Sequence, residues 1–175
     1  MSKNINKTEF DEATKLKLNI FGECFEEWFP VFLHSPWCKK LYVFDFFAGS
    51  GKDIKDNSGS PLILLDKSKG VNRKYCIKVK KEIKFIFNEG EQKKSKELKQ
   101  NVAQYITRCE QENNCANCIY QYIVKNYSFQ DIFSNPYITN IFKNHEFGKF
   151  ILLDQYGFSQ IDEQIFKQLI SFPKT

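Results

Sequence analysis

No apolar run in this 175-residue chain reaches the roughly 20 residues that a membrane-spanning helix takes. Residues 1–14 are polar and of mixed charge, without the apolar core of a secretion signal. These absences set the expectation of a cytoplasmic protein with no membrane association. Arginine is scarce: Arg73 and Arg108 are the two in the chain, so lysine carries most of the positive charge behind a net +5. His34 and His145 stand at no catalytic spacing from the cysteines, which argues against a Cys–His nucleophile. A phosphate-binding loop of the form G-x-x-x-x-G-K-[ST] is missing. Gly51-Lys52 is there, but Phe46 replaces the first glycine and Asp53 the magnesium-binding hydroxyl. The dinucleotide fingerprint G-x-G-x-x-G fails at Ile54, which disfavours a nicotinamide cofactor.

Hydrophobic residues make up 42% of the chain, and 18 of them are Phe, enough for one sizeable aromatic core. The expectation is a single α/β domain over residues 1–175, with room for an appendage. Leu16, Ile20, Cys24, Trp28 and Val31 recur at helical spacing and predict a helix over 14–33 with that face inward, disturbed at its end by Pro30 and Pro36. Apolar runs at 41–47, 83–87 and 149–154 predict strands, the first with both faces covered. Ser60-Pro61 predicts a helix start, with Ser60 as cap and Pro61 at the first position. Helices are expected over 91–107, with Leu98, Val102, Tyr105 and Ile106 inward, and over 161–172, with Ile161, Ile165, Phe166 and Leu169 inward. Residues 119–144 carry no decisive pattern. Repeated strand–turn–helix units point to a Rossmann-like open, mostly parallel sheet with flanking helices. Fewer strands are legible than such a sheet usually has. The chain could therefore be the amino-terminal part of a longer protein, cut after the fourth strand–helix unit. Residues 52–82 read as an inserted Lys-rich segment, and 108–145 as a Cys-containing insert.

The stretch Leu41-Tyr-Val-Phe-Asp45-Phe-Phe-Ala-Gly49-Ser-Gly51 is the most specific feature. It reads as a buried strand ending in a carboxylate and a glycine turn, the arrangement that builds a nucleotide-type pocket at the carboxyl edge of a parallel sheet. Gly49 and Gly51 would let the backbone approach a ligand and adopt positive φ. Asp45 would organise the loop or accept a hydrogen bond from a charged amino group of the ligand. An acidic residue ending the next strand would bind ribose hydroxyls. Glu89 stands there, 44 residues beyond Asp45 and about twice the usual ~20, so the excess must be an insertion. Glu91 is the neighbouring alternative. The third confident strand leads into Leu153-Asp154-Gln155-Tyr156-Gly157-Phe158. There Asp154 could accept hydrogen bonds from an exocyclic amine, and Tyr156 could stack on a flipped base.

The heptad from Asp45 to Gly51 resembles the first motif of Rossmann-like S-adenosylmethionine-dependent methyltransferases. Asp154 and Tyr156 match the acidic-x-aromatic pattern of enzymes that methylate base amines, with Gln155 in the place of a proline. As an ordered set the motifs resemble the three-Cys-motif partner protein family. They comprise Thr14-Lys15 ahead of a helix holding Trp28, Asp45 to Gly51, Gly59-Ser60-Pro61, Glu89, and Leu153 to Phe158. The resemblance covers roughly residues 14–172. It implies a Rossmann-like fold and an S-adenosyl-L-methionine site formed by Asp45, Phe47, Ala48, Gly49, Gly51 and Glu89, with Asp154 and Tyr156 as catalytic candidates. It also implies a protein partner encoded nearby. Members of the family usually extend beyond the point where this chain ends.

The family's three-cysteine motif belongs to that partner, so Cys109-x5-Cys115-x2-Cys118 is weighed by itself. A structural zinc site needs four ligands, and the fourth would be a distant Cys76, Cys38, His34 or His145. Free thiols are the expectation, with no metal. Residues 67–84 hold eight basic residues and one acidic one, a candidate guide for nucleic acid. Two functions remain in view. One is methyl transfer, with a nucleic-acid base amine as the favoured acceptor. The other is a non-catalytic methyltransferase-like module that binds a protein or nucleic acid.

Overall fold

A computed structural model describes residues 8–70, 81–113, 120–155 and 161–173. Helix α1 (Glu12–His34) precedes strand β1 (Lys40–Asp45). Helix α2 (Ser60–Lys67), strand β2 (Glu82–Asn88), helix α3 (Gln92–Glu112) and strand β3 (Tyr120–Lys125) follow. Two short helices, α4 (Phe129–Phe133) and α5 (Pro136–Lys143), lead to strand β4 (Phe147–Leu152) and helix α6 (Glu163–Ser171). The strands form one sheet in the order β3-β2-β1-β4, and every pairing is parallel. This is the Rossmann-like α/β arrangement that the strand–turn–helix pattern predicts.

Alternation along the strands divides the core in two. Leu41, Val43, Ile83, Phe85 and Phe87 pack with α1, α2 and α3 through Phe25, Phe29, Leu62, Leu65, Leu98 and Val102. Tyr42, Phe44 and Ile86 pack with α4, α5 and α6 through Phe129, Ile132, Ile141, Phe142 and Leu169. Because β1 and β2 are covered on both faces, their apolar runs are nearly continuous.

Several expectations need correction. The inward face of α1 is Leu18, Gly22, Phe25, Phe29 and Leu33; of the predicted face Trp28 packs against the core, whereas Leu16, Ile20, Cys24 and Val31 are exposed. Pro30 does not stop the helix, because Phe29 and Leu33 anchor the turns on both sides of it in the core. Gly59, not Ser60, is the N-cap of α2, and Pro61 follows in the first turn. The unassigned stretch 119–144 contains β3, which pairs with β2 along its whole length, and helices α4 and α5. The segment read as a Cys-containing insert thus contributes one of the two edge strands of the sheet. In α6 Phe166 points outward, and Leu169 is the buried position. Strand β4 ends at Leu152, which leaves Asp154 on the following loop.

Candidate functional site

Parallel pairing aligns the strand ends. Asp45, the last residue of β1, pairs with Phe87 of β2 and Leu152 of β4. Glu89 follows the end of β2 by one residue and Asp154 follows the end of β4 by two, so all three carboxylates sit at the carboxyl edge. A placement of Asp45 and Glu89 at opposite ends would have removed the basis for a shared pocket.

The turn after β1 is built as its glycines require. Gly49 and Gly51 have φ of 61° and 81°, the left-handed region that costs other residues a steric penalty. The Ala48 N–H donates to the Asn88 carbonyl over 2.9 Å, which docks the turn on the end of β2. The Gly51 carbonyl accepts from the Gly59 N–H at 2.8 Å, closing the loop onto the start of α2. A Cβ on Gly59 would lie 3.2 Å from that carbonyl, a tight contact that a larger residue could relieve only by shifting the loop. The Phe47 ring stacks on Phe129 at 5.1 Å, tying the turn to α4.

Asp45 is fully buried. Its Oδ2 accepts from the Ser60 hydroxyl at 2.6 Å and its Oδ1 from the Phe47 N–H at 3.2 Å. The carboxyl therefore organises the turn from beneath. Burial pushes its pKa up to about 7, and the charges of Asp154 and Glu89 add to the rise, against the two hydrogen bonds. The sign of the linkage follows. The folded chain keeps this proton where the unfolded chain, at about 3.8, has lost it. Its contribution to stability is full below about pH 4 and is lost as pH rises through about 7. The stability of wild type relative to Asp45→Asn should thus decline between those limits, by an amount on the order of a few kcal/mol. Urea unfolding at about pH 4 and about pH 8 measures it. A difference that ignores pH would contradict the buried, repelled carboxyl.

Glu89 is half-buried. Its Oε1 accepts from the Glu91 N–H at 2.7 Å, and its Oε2 has no hydrogen bond among the described residues. Asp154 is partly exposed and pairs through Oδ2 with Lys17 of α1 at 2.7 Å. Gln155 Oε1 accepts the Ile161 N–H, so this residue braces its own loop. Tyr156, Cys115, Cys118, Cys76 and residues 71–80 lie outside the described residues. Among the described residues no group of three His, Cys, Asp or Glu is placed to hold a metal, and no helix is long and apolar enough to cross a membrane.

Other residues at this edge were not singled out from the sequence. Asn88 is buried, and its amide donates to the carbonyls of Phe46 and Tyr127 while its Oδ1 accepts the Tyr127 N–H. One side chain thus locks together the ends of β1, β2 and β3. Asp53 does the same for the loop beyond Gly51. It accepts from the backbone of Phe10, Lys55 and Asn57 and from the Asn57 amide. Burial opposes its charge, yet these donors hold its pKa down to about 2. An Asn inside an apolar strand end was the one available signal for Asn88. Nothing local signals Lys17.

Two adjoining clefts, of about 430 and 410 Å³, share the walls Ser58, Leu62, Tyr105 and Arg108. They lie along α2 and α3, and none of the described candidate residues lines them. Comparison of the chain with family models, with curated proteins and with solved structures gives no match.

Proposed function

We propose that this chain is a methyltransferase-like domain that binds S-adenosyl-L-methionine at the carboxyl edge of its sheet. One observation carries the reading: Asp45, Glu89 and Asp154 converge beside a turn whose two glycines have positive φ. The residues fit that cofactor. Its ammonium and sulfonium are cationic and suit an edge where carboxylates crowd. Glu89 Oε2, which has no hydrogen bond among the described residues, would accept from a ribose hydroxyl. The turn offers backbone without a side chain at Gly49, while Gly51 is buried against Leu98 and shapes the turn. Asp45 holds that turn from below. S-adenosyl-L-methionine supplies an electrophilic methyl group. The chain contributes mainly position and orientation. Asp154, partly exposed, would accept a hydrogen bond from an acceptor amine, with Tyr156 as its aromatic companion. A nucleic-acid base amine is the acceptor favoured by that pair. Similarity to three-Cys-motif partner proteins, with a partner encoded nearby, belongs to this proposal.

A second reading has its own support. Lys17 already pairs with Asp154, and Gln155 stands where a rigid proline would be, so the domain would be a module without catalysis. Calorimetry with S-adenosyl-L-methionine tests the cofactor. Heat of binding is expected from wild type, and Gly49→Arg should weaken it at least tenfold, about 1.4 kcal/mol or more. Wild type without heat would end the cofactor reading. Heat without methyl transfer to any nucleic acid would select the module.

A further inference from the structure

We propose that the β3 side of the carboxyl edge binds single-stranded nucleic acid, through Lys93, Lys96, Lys99 and Lys125 on the phosphates and the Tyr127 ring beneath a base. The inference deepens the methyl-transfer reading by narrowing its nucleic-acid acceptor to a single strand and assigning the surface that holds it, and it rests on that reading for nothing but the site's location.

Charge along α3 runs against its dipole. Lysines 93, 94, 96 and 99 crowd the amino-terminal half, where Glu97 is the one acid. Glu110 and Glu112 stand at the other end. The first turn has no acidic residue and the last has no basic one. A helix favours the opposite order, acids first and bases last. This order therefore weakens the helix while it concentrates positive field at one end. Lys94 pairs with Glu91, but Lys93, Lys96 and Lys99 are exposed and make no ion pair among the described residues.

The patch is stitched to an aromatic. The Ser95 hydroxyl donates to the Lys125 carbonyl, and the Asn126 amide donates to the carbonyls of Glu89 and Gly90. Those bonds seat residues 125–127 against the start of α3. Tyr127 is 44% exposed, with the Lys125 ammonium 6.0 Å from its ring centre. Its backbone is held by Asn88, which also holds Phe46 of the candidate site. An exposed ring is thus tied through Asn88 to the end of β1, and through the neighbouring residues 125 and 126 to the start of α3, where the lysines stand. Lysines that track a backbone beside an aromatic platform suit a strand whose bases are unpaired.

Of the Lys-rich stretch 67–84 predicted for this role, residues 71–80 lie outside the described residues. Its described lysines are engaged within the protein. Lys67 pairs with Glu26 and Lys69 with Asp66, Lys81 donates to the carbonyls of Phe32 and Ser35, and Lys84 contacts the Tyr137 hydroxyl.

The test is fluorescence anisotropy of the whole chain with a labelled oligothymidylate of roughly 20 nucleotides. Binding is expected at about 50 mM salt, with log K falling steeply against log salt. Replacing Lys93, Lys96 and Lys99 together by Gln should reduce that slope by about 2. Tyr127→Ala should weaken binding roughly tenfold and leave the slope unchanged. The lysine variant relieves repulsion at the helix start, so its Tm should not fall. If it does, the single variants Lys96→Gln and Lys99→Gln carry the same test. Absence of binding, a wild-type slope in the lysine variants, duplex preferred over single strand, or binding to phosphatidylserine vesicles in place of the oligonucleotide would overturn the proposal. A wild type that binds the strand but not S-adenosyl-L-methionine would leave this surface standing and remove the methyltransferase reading. The reverse result would do the opposite.

Discussion

Phe25→Ala is expected to cost about 3–5 kcal/mol of stability, while Val31→Ala, on the same helix, should stay within about 0.5 kcal/mol. Phe25 has no exposed surface. Its ring lies 5.1 Å from Phe29 and 5.0 Å edge-on from Phe150, with Phe85 and Trp28 completing the pocket. Truncation would open a cavity walled by Phe85 and Phe150 of the sheet and by Trp28 and Phe29 of α1, and close-packed walls of this kind relax little. Val31 is 63% exposed and gives up little contact. Urea unfolding of the two variants measures the difference. Equal losses would mean that α1 is turned about its axis relative to the sheet.

That comparison also shows what periodicity can and cannot reveal. Helix α1 carries two apolar stripes, one through Ile20, Cys24 and Val31 and one through Leu18, Phe25, Phe29 and Leu33. Both obey helical spacing, so spacing cannot choose between them. The sheet chooses, because the larger rings meet Phe85 and Phe150. Strands β1, β2 and β4 were legible as apolar runs. Strand β3 was not, since Gln121 and Lys125 interrupt it and its identity comes from pairing with β2. The carboxylates of the candidate site were legible for a related reason: Asp45, Glu89 and Asp154 each stand at or just beyond the end of an apolar run. Their supports act across the fold. Asn88 reaches Tyr127, 39 residues away, and Lys17 reaches the Asp154 loop from helix α1. Ser60 illustrates the boundary between the two kinds of knowledge. Its place at a helix start was readable, but its hydroxyl serves Asp45 in place of capping.

Lys149→Met should destabilise the protein by about 3–5 kcal/mol, a loss comparable to breaking a buried charge network. Lys149 lies in the middle of β4 and is completely buried. An ammonium has three donors and no acceptor. Here Nζ donates to the Phe142 carbonyl at 2.9 Å, to the Asn144 carbonyl at 3.0 Å and to the Pro173 carbonyl. The first two acceptors end α5, and the third follows α6. One charge therefore fastens both flanking helices to the strand between them. Methionine would keep most of the apolar stem but strand three carbonyls, each of which bears a desolvation cost. The urea midpoint should fall, and for a chain of this size Tm should drop by roughly 6–20 °C. Amide exchange would locate the damage, with protection lost first in α6, which has Leu169 as its buried anchor. An unchanged midpoint, or faster exchange spread evenly over the sheet, would show that the helix is held by its apolar contacts and that the buried lysine is dispensable.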